Sequence, residues 1–457
     1  MTELFQADLA QADLAQAGVA QAGVAQAVAV LDRDDLHGSL ADPALLSMNL
    51  LNEVADRYPG TVSFAPGRPD PGSFSVDDLH RFLRIYVDHV AGGTAEGART
   101  ARNRLYQYGR TKGVIQDLVA RNLAVDENIH VDPESIVVTV GCQEAMVMVL
   151  RALRATDRDV LLATSPSYVG ITGAARLVDL PVVPVHSGST GIDLDDLVAK
   201  ILAARDAGLR PRACYLVPDF ANPTGMSLDP PTRRRLLELA AEHDILLLED
   251  NPYGFFGGGA PAKPTLKSMD RHGSVVYLGS YAKTALPGVR VGFVVADQPV
   301  TSGGAVVGTF ADELSKIKSM LTVNTPPVAQ AVIGGKLLEC DFGLRAANAT
   351  EIAGYGRKLR HLLDGLAARF PDPATVSWNR PDGGFFLVVT VPFIADDELL
   401  AYSAQQHKVI WTPMHHFYAA EGGLRQLRLS CSSLTTEEID LGLDRFASLV
   451  TDLRERN

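Results

Sequence analysis

Cysteine is scarce in this chain. The four residues Cys142, Cys214, Cys340 and Cys431 lie far apart, with no CxxC spacing. That excludes a disulfide scaffold and a thiolate zinc site, and points to a reduced, cytoplasmic protein. Positive charge is also short. Lys and Arg number 42 against 54 Asp and Glu, a net charge of -12 that repels phosphate backbones and argues against nucleic acid as a partner. Long apolar runs are absent, and a membrane-spanning helix needs about 20 such residues. The N-terminus lacks the basic start and apolar stretch of a secretory signal. What remains, 46% hydrophobic and 21% charged residues, is the composition of an ordinary globular protein. A length of 457 residues exceeds one typical domain, so two are expected.

The chain opens on a five-residue repeat, QADLA, QADLA, QAGVA, QAGVA, between Gln6 and Gln26. The phrase resembles pentapeptide solenoids, but so few copies cannot stack into a core. A disordered or loosely helical tail over 1–30 is the reading. Helical apolar spacing follows over Pro43–Tyr58, then a turn-rich loop from Ser63 to Asp70. From there to about Ile333, short apolar runs alternate with amphipathic stretches, which predicts βαβ units and a mainly parallel sheet. Strands are expected at Ser135–Val140, Asp159–Ala163, Ala213–Val217, Ile245–Glu249, Ser274–Leu278 and Val291–Ala296. Helices are expected at Ala145–Leu153 and Thr232–His243. After a helical region beginning near Val328, strands at Phe385–Val391 and Gln426–Ser430 belong to a smaller C-terminal α+β part. The expected division is a tail at 1–30, an arm at 31–70, a large domain at 71–333 and a small domain at 334–457.

In an open α/β sheet, ligands bind beyond the carboxyl ends of the strands, and several suggestive residues fall at such ends. Gly141-Cys142-Gln143 joins a strand to a helix, so it is either an anion site at a helix N-terminus or an ordinary turn. Asp250, with Tyr253 three residues on, is either a partner for a cationic ring nitrogen or a turn acid. Asn222-Pro223-Thr224-Gly225 offers an amide donor or is simply a turn. Lys283, after Gly279-Ser280-Tyr281-Ala282, is either a surface lysine or an amine able to form an imine with an aldehyde. Ser280 and Arg290 are within reach of a phosphate in the second case.

The order of these signals is more specific than any one of them. FANPTG, LLLEDNPYG and GSYAKTALPGVRVGF resemble the class I/II aminotransferases, fold-type I pyridoxal-phosphate (PLP) enzymes, as do YQYGRTKG, TVGCQEAM, SPSYVG, PDGGFF and LRQLRLSCSS. The resemblance runs from about Ser63 to Val450. It implies a PLP-dependent transferase fold of type I and a transamination between an amino acid and a 2-keto acid. It also implies a homodimer with shared active sites. By the resemblance Lys283 carries the cofactor as a Schiff base, Asp250 pairs with the pyridine nitrogen, and Asn222 and Tyr253 reach the ring's phenolate oxygen. Tyr168 stacks on the ring. Cys142, Gln143, Ser280 and Arg290 hold the phosphate, and Tyr108 reaches the cofactor of the neighbouring subunit. Arg428 clamps the substrate carboxylate, with Asn222, Gly67 and Arg68 beside it.

The motifs LHGSLADPALLSMN, SFAPGRPD, LYQYGRTKG, VTVGCQEAM, VPDFANPTG and WTPMHHFY are together most similar to the hydroxyphenylglycine aminotransferases of nonribosomal peptide antibiotic pathways. That implies arylglyoxylates and L-arylglycines as substrates, with an aromatic amino acid as partner. Phe64, Tyr168 and Phe417 are candidates for an aromatic pocket. Three departures stand out. The family's usual S-x-S-K is here Ser280-Tyr281-Ala282-Lys283, one hydroxyl short. Where relatives often show Q-Y-x-P, this chain has Tyr108-Gly109-Arg110-Thr111-Lys112, so Arg110 is either a substrate or phosphate contact or half of a surface ion pair. The usual P-G-x-x-F is Pro413-Met414-His415-His416-Phe417. Paired histidines with no further ligand motif read as a pocket contact or loop packing rather than a metal site. A PLP-dependent oxidase, cyclase or β-lyase, or a 2-aminoadipate-type aminotransferase, stays open as an alternative. A transcription regulator is disfavoured, because an acidic repeat stands where a basic DNA-binding domain is needed.

Overall fold

The computed structural model describes residues 29–455, except 43–44, 46–56, 71, 73–74, 189–190, 260–261 and 420. The repeat and most of the helix expected over Pro43–Tyr58 lie outside the described residues. The chain divides into two units, Met1–Leu40 and Ala41–Asn457. In the first, Arg33–Asp35 forms a 3-10 turn capped by the Asp32 carboxylate. Everything below concerns the second.

Its centre is an eight-stranded sheet: β1 (Ile136–Val140), β2 (Asp159–Ser165), β3 (Val182–Gly188), β4 (Gly191–Ile192), β5 (Arg210–Leu216), β6 (Leu246–Asp250), β7 (Val275–Ser280) and β8 (Val291–Val295). The spatial order is β1-β8-β7-β6-β5-β2-β3-β4. The five strands from β7 to β3 run parallel. Segments such as IVVTV and DVLLATS are buried along most of their length because helices cover both faces. β8 is antiparallel to both of its neighbours, and β4 to β3. An apolar run carries no sign of its direction, so VGFVV reads the same either way.

Within the described residues the expected strands form, as do the helices at Ala145–Leu153 and Thr232–His243, with ends shifted by a few residues. One shift matters. The helix expected from Ala145 starts at Gly141, directly off the end of β1, and runs to Leu153 as α1. Gly141 makes that junction at φ +70°, in the left-handed region. The first turn of α1 therefore faces the carboxyl edge of the sheet with no side-chain cap.

A second sheet holds β9 (Ser377–Trp378), β10 (Phe386–Thr390), β11 (Thr412–Pro413) and β12 (Gln426–Ser430) in the antiparallel order β9-β10-β12-β11. Its core includes Leu362, Leu366, Trp411, Phe446 and Phe64. Helices Ala349–Arg369 and Thr436–Glu455 supply much of it. Val62–Ser63 pairs in parallel with Val409–Ile410, which leads the chain through Ala65–Arg68 toward the edge of the large sheet. Among the described residues, no helix is long and apolar enough to cross a membrane.

Trp411 is fully buried, and its indole N–H donates to Ser403 Oγ at 3.1 Å. Trp411→Ala is expected to cost about 3–5 kcal/mol, read as a lower denaturant midpoint at unchanged cofactor content.

Candidate active site

The carboxyl ends of β1, β2, β5, β6 and β7 surround a cavity of about 420 Å³. It gathers Gly67, Arg68, Cys142, Gln143, Tyr168, Asn222, Asp250, Tyr253, Ser280, Lys283, Arg290 and Arg428. Tyr108 alone among the expected site residues stays outside, with 85% of its surface exposed. Arg110 takes the ion-pair alternative: both its terminal nitrogens donate to the Glu134 carboxylate, at 2.9 and 2.7 Å, on the surface. One expectation is corrected: Phe64 is no pocket wall. It is fully buried in the core of the second sheet, against Gly442.

Asp250 ends β6 and is buried. Its two oxygens accept from the Tyr215 hydroxyl at 2.6 Å and the Cys142 thiol at 3.6 Å. Burial pushes its pKa up to about 6, against the pull of those two donors. A cationic ring nitrogen would supply the charge this buried carboxylate otherwise lacks. The Cys142 thiol is itself pushed far up by burial and by Asp250, so it remains a neutral donor.

Lys283 follows β7, and its Nζ donates to the Gly67 carbonyl at 2.6 Å. The side chain also lines the cavity. Desolvation, then the nearby Arg290, Arg428 and Arg68, bring its pKa down to about 8. At neutral pH the amine is therefore far easier to deprotonate than an ordinary lysine.

Arg428, on β12, is 4% exposed. Its nitrogens donate to Asn222 Oδ1 at 2.5 Å, the Ala65 carbonyl at 2.8 Å and Thr412 Oγ1 at 3.2 Å. The guanidinium carbon lies 4.3 Å from the centre of the Phe386 ring and 5.0 Å from that of Phe417. Desolvation lowers its pKa to about 10, which leaves it charged. Tyr168 and Tyr253 are held in the phenol form by burial.

At the other end, a Cβ on Gly141 would come within 2.3 Å of Arg290 Nη2. The guanidinium thus lies against the uncapped first turn of α1, with Ser280 also lining this end. N–H groups, a hydroxyl and a guanidinium together form a phosphate cradle. The side chains of Cys142 and Gln143 point elsewhere, to Asp250 and to the Gly170 carbonyl. Only their backbone is left to face an anion.

Comparison with known proteins agrees with this geometry. Residues 87–446 match the family model "Aminotransferase class I and II", and the chain belongs to that family. It is an aminotransferase acting on amino acids and 2-keto acids, with the type I transferase fold and pyridoxal 5'-phosphate as its cofactor. It is 56% identical over 421 residues to a (S)-3,5-dihydroxyphenylglycine transaminase of Amycolatopsis orientalis, covering 92% of this chain and 95% of that one. It is 31% identical to a 2-aminoadipate transaminase of Thermus thermophilus, covering 86% and 91%. Among solved structures, an α-aminoadipate aminotransferase of Thermus thermophilus, complexed with N-(5'-phosphopyridoxyl)-L-leucine, superposes with a TM-score of 0.73 at 28% identity, covering 92% and 100%. The phosphate cradle at one end and the buried carboxylate at the other fit this cofactor.

Tyr215 and Phe386 were not singled out by sequence. Tyr215 pairs with Leu248, two residues before Asp250, so it shares the carboxylate's face of the sheet. That inference needs the pairing of β5 with β6.

Two predictions follow from the electrostatics. A lysine depressed from an ordinary value of about 10.4 is neutral in the folded apoenzyme while still protonated in the unfolded chain. Apoenzyme stability should therefore rise with pH between about 8 and 10.4. Amine-labelling of Lys283, followed by peptide mass spectrometry, should show a midpoint near pH 8, and a midpoint near 10 contradicts this environment. Tyr215→Phe removes a donor that holds the Asp250 pKa down, so that pKa rises and the acid limb of activity moves to higher pH. The lost charge-assisted bond, about 1.5–3 kcal/mol, should weaken cofactor binding about tenfold or more in an absorbance titration.

Proposed function

We propose that this aminotransferase interconverts an arylglyoxylate, 4-hydroxy- or 3,5-dihydroxyphenylglyoxylate, with the L-arylglycine, using an aromatic amino acid as partner. One observation carries this reading. The carboxylate-matching fork of Arg428 packs against the rings of Phe386 and Phe417, in the same cavity as Lys283. A substrate seated on Arg428 by its α-carboxylate places its side chain against aromatic and apolar walls. The 56% identity to the dihydroxyphenylglycine transaminase supports the same substrate class.

Pyridoxal phosphate, when bound, supplies an electron sink for a carbanion at the substrate Cα. Lys283, neutral above a pKa of about 8, takes the Cα proton of the amino acid and returns it to Cα in the reverse direction. Asp250 holds the proton on the ring nitrogen, with Tyr215 and Cys142 fixing the orientation of its two oxygens. Asn222 has a double duty, accepting from Arg428 while hydrogen-bonded to Tyr253. The backbone at Cys142 and Gln143, with Ser280 and Arg290, would hold the cofactor's phosphate, and Tyr168 would bind its ring.

The exposed Tyr108 serves the cofactor of a second subunit in this reading, which makes the enzyme a homodimer. The division is an arm at 31–70, a large domain at 71–333 and a small domain at 334–457, with the enzyme working in the cytoplasm within secondary metabolism. Arg68 at the cavity supports a second reading, a substrate with a distal carboxylate such as 2-aminoadipate.

A donor–acceptor screen tests these readings. Tyrosine with 4-hydroxy- or 3,5-dihydroxyphenylglyoxylate is expected to give the L-arylglycine at the highest kcat/KM. Amination of 2-oxoadipate but of no arylglyoxylate would favour the second reading and end the first. Oxygen uptake in place of keto-acid exchange would end both.

A further inference from the structure

The turn that carries Phe417 also carries two histidines that the cavity does not use. Met414–Phe417 is a single 3-10 turn after β11. Phe417 points into the cavity, and its carbonyl accepts from the Ser167 N–H at 2.8 Å, next to Tyr168. His415 and His416 turn the opposite way. Their rings stack with centroids 4.1 Å apart and 39° between planes, and both meet one carboxylate. His416 Nε2 lies 2.8 Å from Asp397 Oδ1, and His415 Nε2 lies 3.8 Å from Asp397 Oδ2. Asp397 comes from a separate element, the short helix Asp397–Tyr402. One donor atom from each of the three residues falls within 4.8 Å of the others.

We infer that Asp397, His415 and His416 form a binding site for one divalent transition-metal ion, of the Zn²⁺ or Co²⁺ class. Zinc takes nitrogen and oxygen donors at about 2.0–2.2 Å, so tetrahedral ligands stand about 3.4 Å apart. The observed separations need only side-chain rotations to reach that. Two imidazoles and a carboxylate select such ions over Mg²⁺ and Ca²⁺, which prefer all-oxygen sites. The Asp397 side chain is 43% exposed and that of His415 26%, which leaves room for an ion to enter and for water to complete its coordination. His415 Nδ1 is buried without a hydrogen-bond partner, so the site lacks one outer-shell support. Losing such a support weakens metal sites by about 10–100-fold, so a modest affinity is expected. None of the three residues lines the cavity, so the ion braces the turn behind Phe417 and takes no part in proton transfer. The site stands whatever aryl or aliphatic substrate the enzyme uses.

The test uses EDTA-treated, cofactor-loaded enzyme in calorimetric titrations with ZnCl₂, CoCl₂ and MgCl₂. One Zn²⁺ per subunit is expected, with no Mg²⁺ binding. Bound Co²⁺ is expected to show ligand-field bands to the red of the cofactor's absorbance. His416→Gln, His415→Gln and Asp397→Asn should each weaken Zn²⁺ binding at least tenfold, while each folded variant keeps the parent's cofactor spectrum. Absence of stoichiometric Zn²⁺ binding overturns the assignment. So does wild-type affinity in any correctly folded variant of the three, which would place the ion elsewhere.

Discussion

A guanidinium taken out of water must find a partner for nearly every edge and face, and Arg428 finds its partners in parts of the chain far apart in sequence. The Ala65 carbonyl comes from the segment after Val62–Ser63, Asn222 from the loop after β5, and Thr412 from β11. Phe386 and Phe417 pack against it. Removing water from one cation thus ties the second sheet to the carboxyl edge of the first. The cavity lies where these stretches meet. Stripping a charge from water is expensive unless hydrogen bonds replace the hydration. The arrangement is therefore specific: each partner is set by the fold of its own element before Arg428 can use it.

The same low-polarity surroundings set the two functional ionisations in opposite directions. Burial raises Asp250 and lowers Lys283, so each moves toward neutrality before any ligand arrives. Asp250 has hydrogen bonds from Tyr215 and Cys142 to limit the rise. Lys283 has a ring of arginines that deepens the fall. A site of this kind receives charge from its ligands: an anion for Arg290 and Arg428, a cation for Asp250. Binding and activation are then one event, because the incoming charges decide which protonation states are comfortable.

Most of this site was legible because its residues sit in local motifs at strand ends. Asn222, Asp250, Lys283 and Arg290 each belong to a short phrase whose turn chemistry is readable in place. What escaped depended on pairing between distant segments. Tyr215 looks like any apolar strand residue until β5 is laid beside β6. The antiparallel course of β8 leaves no trace in an apolar run. Arg110 stayed open between a site contact and an ion pair because its partner, Glu134, lies 24 residues away. Phe64 looked like a pocket wall because it adjoins Gly67 in sequence, yet two residues of extended chain carry it into another core. Asp397 is equally invisible beside His415 and His416 until the fold delivers it.

Gly67 shows what this crowding means for the history of the pocket. Its carbonyl receives Lys283, and a methyl group at its Cα would come within 2.2 Å of the Phe386 ring. Phe386 in turn closes one face of Arg428. Position 67 is therefore closed to drift: any side chain there disturbs the lysine and the arginine together. Met146 and Val217 line the same cavity and belong to no such relay. A lineage that changes its substrate range, or a laboratory library built to do so, finds its freedom at those two positions.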